Sequence, residues 1–578
     1  MGKIKGTGRW AHAMARLGYG VALLGSLPVG AKIADDAVHP AWEVKVVPMP
    51  AMYATMGLGF LPSGEMVVAT GYVEDDRTTA GDESSVYVVS GVTDPAMDKI
   101  KAVKVGTRYI NPSGVVIVGS TIYVADRDAF YQVLDNASTN ATANRKKILA
   151  WPWGMKWHQW VFTPMYKGGK FYAPYSGSIR GGGPSEADPT SEYSGAFLEW
   201  DLQGTLGKFA GGLRSPNGSN IDPDGNMFVA DNQGSWLPSS TFAHIKQGKF
   251  YGHRQNPPFK PNFAESLPYQ PPTAWLPHGV VRSSPGQPIY IPQGTYKGQW
   301  LQGDCNGRGL LRIALDNVDG DFQGAVFWFT NGMANSAINR LAWGPDGSLF
   351  VATVEKMGNW PGNGLMPIYR MSPKAGGKAF EMFAIRATKD GFEVEFTEAV
   401  DKATVNAAAF AIKQWQYVRQ EGYGEGKGPE QARTVSGATV SADGKVVTIK
   451  VDGLLADRLI YFKLGAIKSA AGGTLWDNEA WYTLNKIPTS TAIAARRATG
   501  EPDWAGRVKH GRNPDRSLWA DVGLEGDYSV SLRSMAGAEI QGAQGRGPGR
   551  FRLEPVRPGI YLLEVARKGS KVVRKVAL

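Results

Sequence analysis

His158 sits in the run Trp157-His158-Gln159-Trp160, a few residues ahead of a strand-like segment at Lys170–Pro174. An imidazole with an ordinary pKa of about 6.5 exchanges a proton near neutral pH, so His158 is a candidate general base. The structural alternative is a histidine packed between indoles. A second stretch runs from Leu213 to His253 and reads LRSPNGSNIDPDGNMFVADNQGSWLPSSTFAHIKQGKFYGH. It joins oxygens suited to a cation with a strand bounded by turn signals and a loop rich in Gly and Pro, which expose backbone. That combination reads as part of a site rather than as packing alone.

Such groups need elements to hold them. From about Ala41 to Ser372 one phrase recurs, a polar turn containing Gly followed by an alternating apolar strand. Its copies are LPSGEMVVAT from Leu61, VGSTIYVADRD from Val118, YKGGKFYAPYSG from Tyr166, DPDGNMFVADNQG from Asp222, YKGQWLQGDCNGRGLLRIAL from Tyr296 and GPDGSLFVATVE from Gly344. Glycine permits the positive φ of a tight turn, and the β-branched and aromatic residues after it favour a pleated, half-buried surface. Spacings of roughly fifty to seventy residues match one four-stranded blade with its loops, and about six units fit. The pattern predicts a six-bladed β-propeller over 40–373, with a two-sheet sandwich of similar size as the alternative.

Beyond Lys374 the phrase stops. Strand-like runs at 383–389, 392–396, 446–451 and 459–464 and the turn Ala442-Asp443-Gly444 predict an immunoglobulin-like β-sandwich over 379–488. Within it, the Gly-rich insert Gln420 to Arg433 reads as a mobile loop. Trp415, Tyr417 and Tyr423 are either ordinary loop aromatics or carbohydrate contacts. Residues 489–516 read as a linker, and 517–578 alternate as a small C-terminal β-sandwich.

Composition fits this all-β reading. The chain has 578 residues, 43% hydrophobic and 20% charged, with 73 Gly and 36 Pro, which suits many short strands and tight turns. The formal charge of +11 is dispersed, as on a solvated surface, and nucleic acid is not expected as a partner. Cys305 is the single cysteine, so an intrachain disulfide and CxxC-type zinc or haem sites are excluded. Lys3, Lys5, Arg9 and Arg16, the apolar run Leu17 to Leu27 and the small residues Val29-Gly30-Ala31 read as a signal peptide over 1–31. An amphipathic or buried N-terminal helix is the alternative. The export signal places the expected mature chain outside the cytoplasm, and no later run approaches the ~20 apolar residues of a membrane span, so no transmembrane segment is expected in it.

Two resemblances add to this. The segment 41–372 resembles the soluble quinoprotein glucose and sorbosone dehydrogenase family, six-bladed propellers that use pyrroloquinoline quinone (PQQ) and calcium. The likeness lies in His158, in Leu213-Arg214-Ser215-Pro216-Asn217-Gly218 followed by Asp222-Pro223-Asp224-Gly225, in Asp231-Asn232-Gln233-Gly234, and in the run Ile245 to His253. It implies His158 as general base, Arg214 as the cation polarising the quinone carbonyl, Ser215 beside it, and the carbonyls of Gln233 and Gly234 as calcium ligands. The family's remaining cofactor anchors are a Lys and an Arg-x-Arg pair. Asn306, Ala337 and Asn339 stand in their places, with Arg308, Arg312 and Arg340 as neighbouring cations. Ser176, Gly177 and Ser178 stand where the family orients its base with an acid, and Glu186 or Asp188 would have to reach in. The last fifty to sixty residues, through Pro558-Gly559-Ile560-Tyr561-Leu562-Leu563-Glu564-Val565, resemble the sorting domain of type IX secretion substrates. This implies handling by that secretion machinery and a secreted or cell-surface location.

Three functions follow as expectations. The first is a sugar or aldose dehydrogenase acting on a carbohydrate substrate with calcium-bound PQQ and an electron acceptor. The second is a carbohydrate-binding propeller without redox chemistry. The third is a calcium-dependent lactonase-like hydrolase, which would need several carboxylates converging on the axis.

Overall fold

The computed structural model describes residues 38–49, 52–71, 80–81, 84–134, 144–153, 159–177, 191–254, 266–281, 284–305, 309–330, 337–354, 367–489, 508–513, 515, 517–524, 526–534, 539–554, 560–567 and 570–577. Every copy of the recurring phrase forms the second strand of an antiparallel sheet, four-stranded in five cases and extended to eight strands in the fifth sheet. These strands are Met66–Thr70, Thr121–Ala125, Lys170–Pro174, Met227–Asp231, Trp300–Asp304 and Leu349–Val354. The turn before each carries a glycine at positive φ: Gly64, Gly119, Gly169, Gly225, Gly298 and Gly347. A Cβ there would strain the hairpin, so the sequence period and the backbone geometry have one cause.

The six first strands are Thr55–Phe60, Gly114–Val118, Met165–Lys167, Pro216–Ile221, Pro285–Tyr290 and Ala337–Trp343. Each lies beside the first strand of the next sheet, and the sixth returns to the first, so they enclose an axis. The sixth sheet takes its outer strand from the start of the chain, where Trp42–Val46 pairs with Ile368–Pro373. The result is an all-β, propeller-like architecture. Apolar faces of successive sheets pack on one another. Between the second and third, Phe130 stands 4.8 Å from Phe171 and 5.0 Å from Trp200, ring centre to ring centre. Emptying such a fully buried aromatic position costs about 3–5 kcal/mol.

The following unit is not a separate bead. One of its sheets holds Met382–Thr388, Gly391–Phe396, Val446–Val451 and Val435–Val440. Its other four strands continue the fifth sheet edge to edge, with Gly324, Ala325 and Val326 paired to Thr483, Tyr482 and Trp481. Ala314, Ala325 and Phe327 from before the expected boundary share a core with Phe392, Phe462 and Tyr482 from beyond it. The expected break at 373–379 is therefore crossed by an eight-stranded sheet. At its seam Arg312 donates to Glu381 at 3.2 Å and to the carbonyls of Met382 and Phe383 at 2.5 and 2.7 Å. Burial alone would raise the Glu381 carboxyl, but Arg312 and His39 hold it below the ordinary carboxylate range.

The C-terminal unit consists of a three-stranded and a four-stranded sheet over one core containing Leu518, Val530, Leu532 and Leu563. It begins before 517, since Val508–Arg512 pairs with Leu518–Val522. The insert at 420–433 is built into the sandwich: Tyr417 bridges to Lys427, and Gln431–Arg433 pairs with the strand Phe410–Trp415. The mobile loop expected there is an ordered arm, because this pairing and its contacts with the fourth sheet fix its backbone. No described helix is long and apolar enough to cross a membrane.

Candidate functional site

Three of the six second strands end on or just before an acid, at Asp126, Asp231 and Asp304, and these acids act as struts. Asp231 accepts from the backbone amides of Arg214 at 2.8 Å, Ser215 at 2.7 Å and Asn232 at 2.9 Å. Asp126 repeats the pattern on Ile110, Asn111 and Arg127 at 2.8, 2.7 and 2.8 Å. Asp304 accepts from the Ser284 amide at 2.9 Å. Burial pushes both Asp126 and Asp231 up to about 6 against the pull of those amides. Each carboxylate ties the loop entering a sheet to the strand beside it. Among the described residues, no group of three or more His, Cys, Asp or Glu is placed to hold a metal ion.

The first strands bulge where they line the axis. Register shifts fall between Thr55 and Gly57, Pro216 and Gly218, and Ile338 and Arg340, leaving Met56, Asn217 and Asn339 as the extra residues. A bulge breaks the ladder and frees backbone groups. Arg340, fully buried, gathers those groups. Its Nε donates to Met56 O at 2.7 Å, one terminal nitrogen reaches Asn217 O at 3.0 Å and Asn339 O at 3.1 Å, and the other reaches Ser113 O at 3.1 Å. The Asn217 and Asn339 side-chain oxygens accept from it as well, at 3.1 and 2.7 Å. Burial lowers the Arg340 guanidinium to about 10, with Cys305 opposing, and among the described residues none of its hydrogen-bond partners is a carboxylate. Asn217 also donates to Cys305 Sγ at 3.0 Å and to Asn339 Oδ1 at 3.1 Å, and Asn339 donates to Thr55 O at 2.9 Å. Four sheets are braced through one cation.

Against this brace lies a cavity of about 50 Å³ lined by Trp160, Phe162, Ser215, Pro216, Asn217, Asn232 and Ser284. Arg340 is 5.7 Å from the Phe162 ring centre, and Arg127 is 4.9 Å from that of Trp160. Arg214 is 2% exposed, with its guanidinium carbon 4.9 Å from the Tyr423 ring centre. Only a glycine fits beside it at 234, where a Cβ would stand 1.6 Å from Nε. His278 lies near this end, its backbone amide donating to Ser239 Oγ at 3.0 Å. Burial lowers its imidazole, Asp304 opposes and Arg214 adds to the lowering, so it shares a field with both.

The residues expected to do chemistry part company here. Ser215 lines the cavity with Asn217, which donates to Asn339, while Arg214, next to Ser215 in the chain, has its guanidinium under Tyr423. Arg312 does not join them: its side chain is engaged at the sandwich seam, because Glu381 and two sandwich carbonyls face it there. Asn339 is a bulge residue in the brace rather than an exposed cofactor contact. The Gly234 carbonyl accepts from Leu237 N at 3.1 Å and Gly424 N at 3.2 Å, which occupies both of its lone pairs and removes it as a calcium ligand. The Gln233 side chain donates to Pro238 O at 3.3 Å. His158, Asn306, Arg308, Glu186 and Asp188 lie outside the described residues. In the sequence Arg340 reads only as a neighbouring cation and Tyr423 only as a loop aromatic or a carbohydrate contact, while Asn217 and Trp160 stand in the quoted motifs without a role of their own. All four help build the site. The sequence marks Asn339 and Arg340 beside the last repeat and Asn217 in the run after Arg214, but no local pattern pairs them.

No family model matches this chain, and no curated protein matches it. The chain is similar in structure to a putative glucose dehydrogenase from Thermus thermophilus, at 15% identity and TM-score 0.40, covering 57% of this chain and 100% of that one. It is also similar to the PQQ-bound aldose sugar dehydrogenase of Streptomyces coelicolor, at 16% identity and TM-score 0.40, over 58% and 100% of the two chains. A putative gluconolactonase is similar at 11% identity and TM-score 0.34, over 58% and 94%.

Proposed function

We propose that this protein binds the acidic end of a sugar or glycan at the axial cavity, without quinone chemistry. One observation carries the reading: an indole, short hydroxyl groups and amides line a small cavity backed by a buried guanidinium whose partners among the described residues are carbonyl and amide oxygens. Trp160 and Phe162 offer ring surfaces, Ser215, Asn217, Asn232 and Ser284 offer polar groups to hydroxyls, and the Arg340 charge favours an anion. The size suits a carboxylate or hydroxymethyl group, since about 50 Å³ holds only a few water-sized groups.

PQQ does not fit the described residues. A fused tricyclic tricarboxylate needs several cations free to meet it. Arg312 faces the sandwich, Arg340 braces backbone, and Arg214 lies under Tyr423. The Gly234 carbonyl is also taken, so no step is assigned to a quinone or to calcium. The carboxylates that a lactonase would turn on a metal are tied to backbone amides at Asp126 and Asp231.

The experiment is calorimetry of the full chain against gluconate, glucuronate and glucose at pH 7. The acids are expected to bind at least tenfold more tightly than glucose, and Asn232→Ala to weaken them about tenfold, the loss of one polar contact. Equal affinity for glucose, or no binding by any of the three, refutes the reading. Dye reduction on addition of PQQ, calcium and an aldose would restore the dehydrogenase.

We also propose that the six axial sheets are the blades of a closed propeller, that 379–488 is immunoglobulin-like, and that the C-terminal unit directs export beyond the cell envelope. The ring of first strands supports the first, the paired sheets over one core the second, and the basic-then-apolar leader with the C-terminal phrase the third. Fractionation of cells carrying the full chain tests export: retention in the cytoplasm refutes it.

A further inference from the structure

The arm Gln416–Glu430 of the sandwich reaches the axial site. Trp236 N donates to Gln420 O at 2.9 Å, and Gly424 N donates to Gly234 O at 3.2 Å. Next to Gln420 the arm is held again, where the Arg419 guanidinium carbon stands 3.8 Å from the Tyr269 ring centre. Between Gln420 and Gly424, Tyr423 covers Arg214. Tyr423 is 44% exposed and Arg214 2%, so the ring shields the cation while keeping much of its own surface in water. Two glycines allow this approach. Gly424 has φ +65°, and a Cβ on it would stand 2.4 Å from Gln233 Nε2; Gly234 leaves room for Arg214 itself.

We infer that Tyr423 is a positioning residue that fixes Arg214 beside the cavity, and that the sandwich is thereby part of the binding site. The physical case is direct. A guanidinium attracted to the ring face keeps one orientation, and its desolvated charge acts more strongly on an anion placed at neighbouring Ser215. The continuous sheet joining the two units holds the arm at constant height, so this wall does not depend on a flexible tether. The sugar-acid part of the inference rests on the function proposed above; the fixing of Arg214 does not.

Two measurements separate them. In the first, the full chain is treated with phenylglyoxal and modification of Arg214 is followed by peptide mass spectrometry, with no ligand present. Tyr423→Ala is expected to raise the rate at Arg214 at least fivefold, and Tyr423→Phe, which keeps the ring, to restore the wild-type rate. In the second, gluconate is titrated: Tyr423→Ala is expected to weaken it about fivefold, with an unchanged thermal midpoint, and Tyr423→Phe to restore affinity. Equal labelling of Arg214 in wild type and Tyr423→Ala overturns the inference whatever gluconate does. Faster labelling without gluconate binding by the wild type leaves the positioning role standing and removes the sugar-acid reading. Faster labelling with gluconate affinity unchanged by Tyr423→Ala overturns the claim that the sandwich is part of the site.

Discussion

Replacing Arg340 by Met keeps length and apolar stem but deletes all the guanidinium donors at the axis. The bulge carbonyls of Met56, Asn217 and Asn339 then lose the guanidinium that pairs with them. Each buried carbonyl left without a donor costs about 1–3 kcal/mol, or roughly 3–9 kcal/mol for the three. Removing a buried charge without a carboxylate partner returns several kcal/mol of desolvation. The expected balance is a loss of about 2–5 kcal/mol. Arg340→Lys keeps the charge but concentrates its donors at one atom, which cannot span carbonyls contributed by separate sheets, so it should fall between the two. Urea unfolding followed by tryptophan fluorescence reads the midpoints, and gluconate titration of the folded variants reads the field at the cavity. Arg340→Met as stable as the wild type would refute the reasoning. It would mean that the bulges satisfy themselves and that the guanidinium is not their brace.

Other perturbations test other joints. Gly234→Ala should drive Arg214 from its place, since the new Cβ would lie 1.6 Å from Nε; calorimetry should show gluconate binding weakened at least tenfold with the fold kept by circular dichroism. Burial pushes the His244 imidazole down to about 4, with Lys246 adding to it and Asp321 opposing. Between about 6.5 and that value only the unfolded chain takes the proton, so the stability from His244 is full above 6.5 and is lost as pH falls toward 4, by about 3 kcal/mol. His244→Phe, able to stack on Phe228 as the imidazole does at 5.0 Å, should flatten that limb of urea midpoint against pH. A chain ending at Pro373 should aggregate, as read by light scattering, because Ala325 and Phe327 lose their cover and Gly324–Val326 become an open strand edge. Glu381→Gln should lower the urea midpoint by about 3–5 kcal/mol in stability, since Arg312 then lies buried without its counter-ion.

The parts of the fold legible in the sequence are those with local causes. A glycine at positive φ before each second strand recurs because every hairpin needs it, so the phrases at Leu61, Asp222 and Gly344 located strands correctly. Arg214 was also marked locally, by the turn-rich run around it. The sandwich seam left no such mark. Gly324 to Val326 read like any strand edge, and nothing near them points to Thr483, Tyr482 and Trp481, which lie more than a hundred residues away. The insert looked mobile because Gly-Tyr-Gly-Glu-Gly-Lys-Gly signals backbone freedom, yet in the fold Gly424 permits close approach to Gln233 and Gly426 to Val418 and Pro238.

Chemistry divides the same way. The sequence determined which residue types were available, where the turns fall, and that a lone cysteine cannot form an intrachain disulfide. Tertiary structure alone decided which cations meet a ligand, because a guanidinium's role depends on the groups closing around it. Arg312 found Glu381, Arg340 found three bulge carbonyls, and Arg214 found a tyrosine from another unit. Those partners are far apart in the chain, and only the closing of the ring and the docking of the sandwich bring them together.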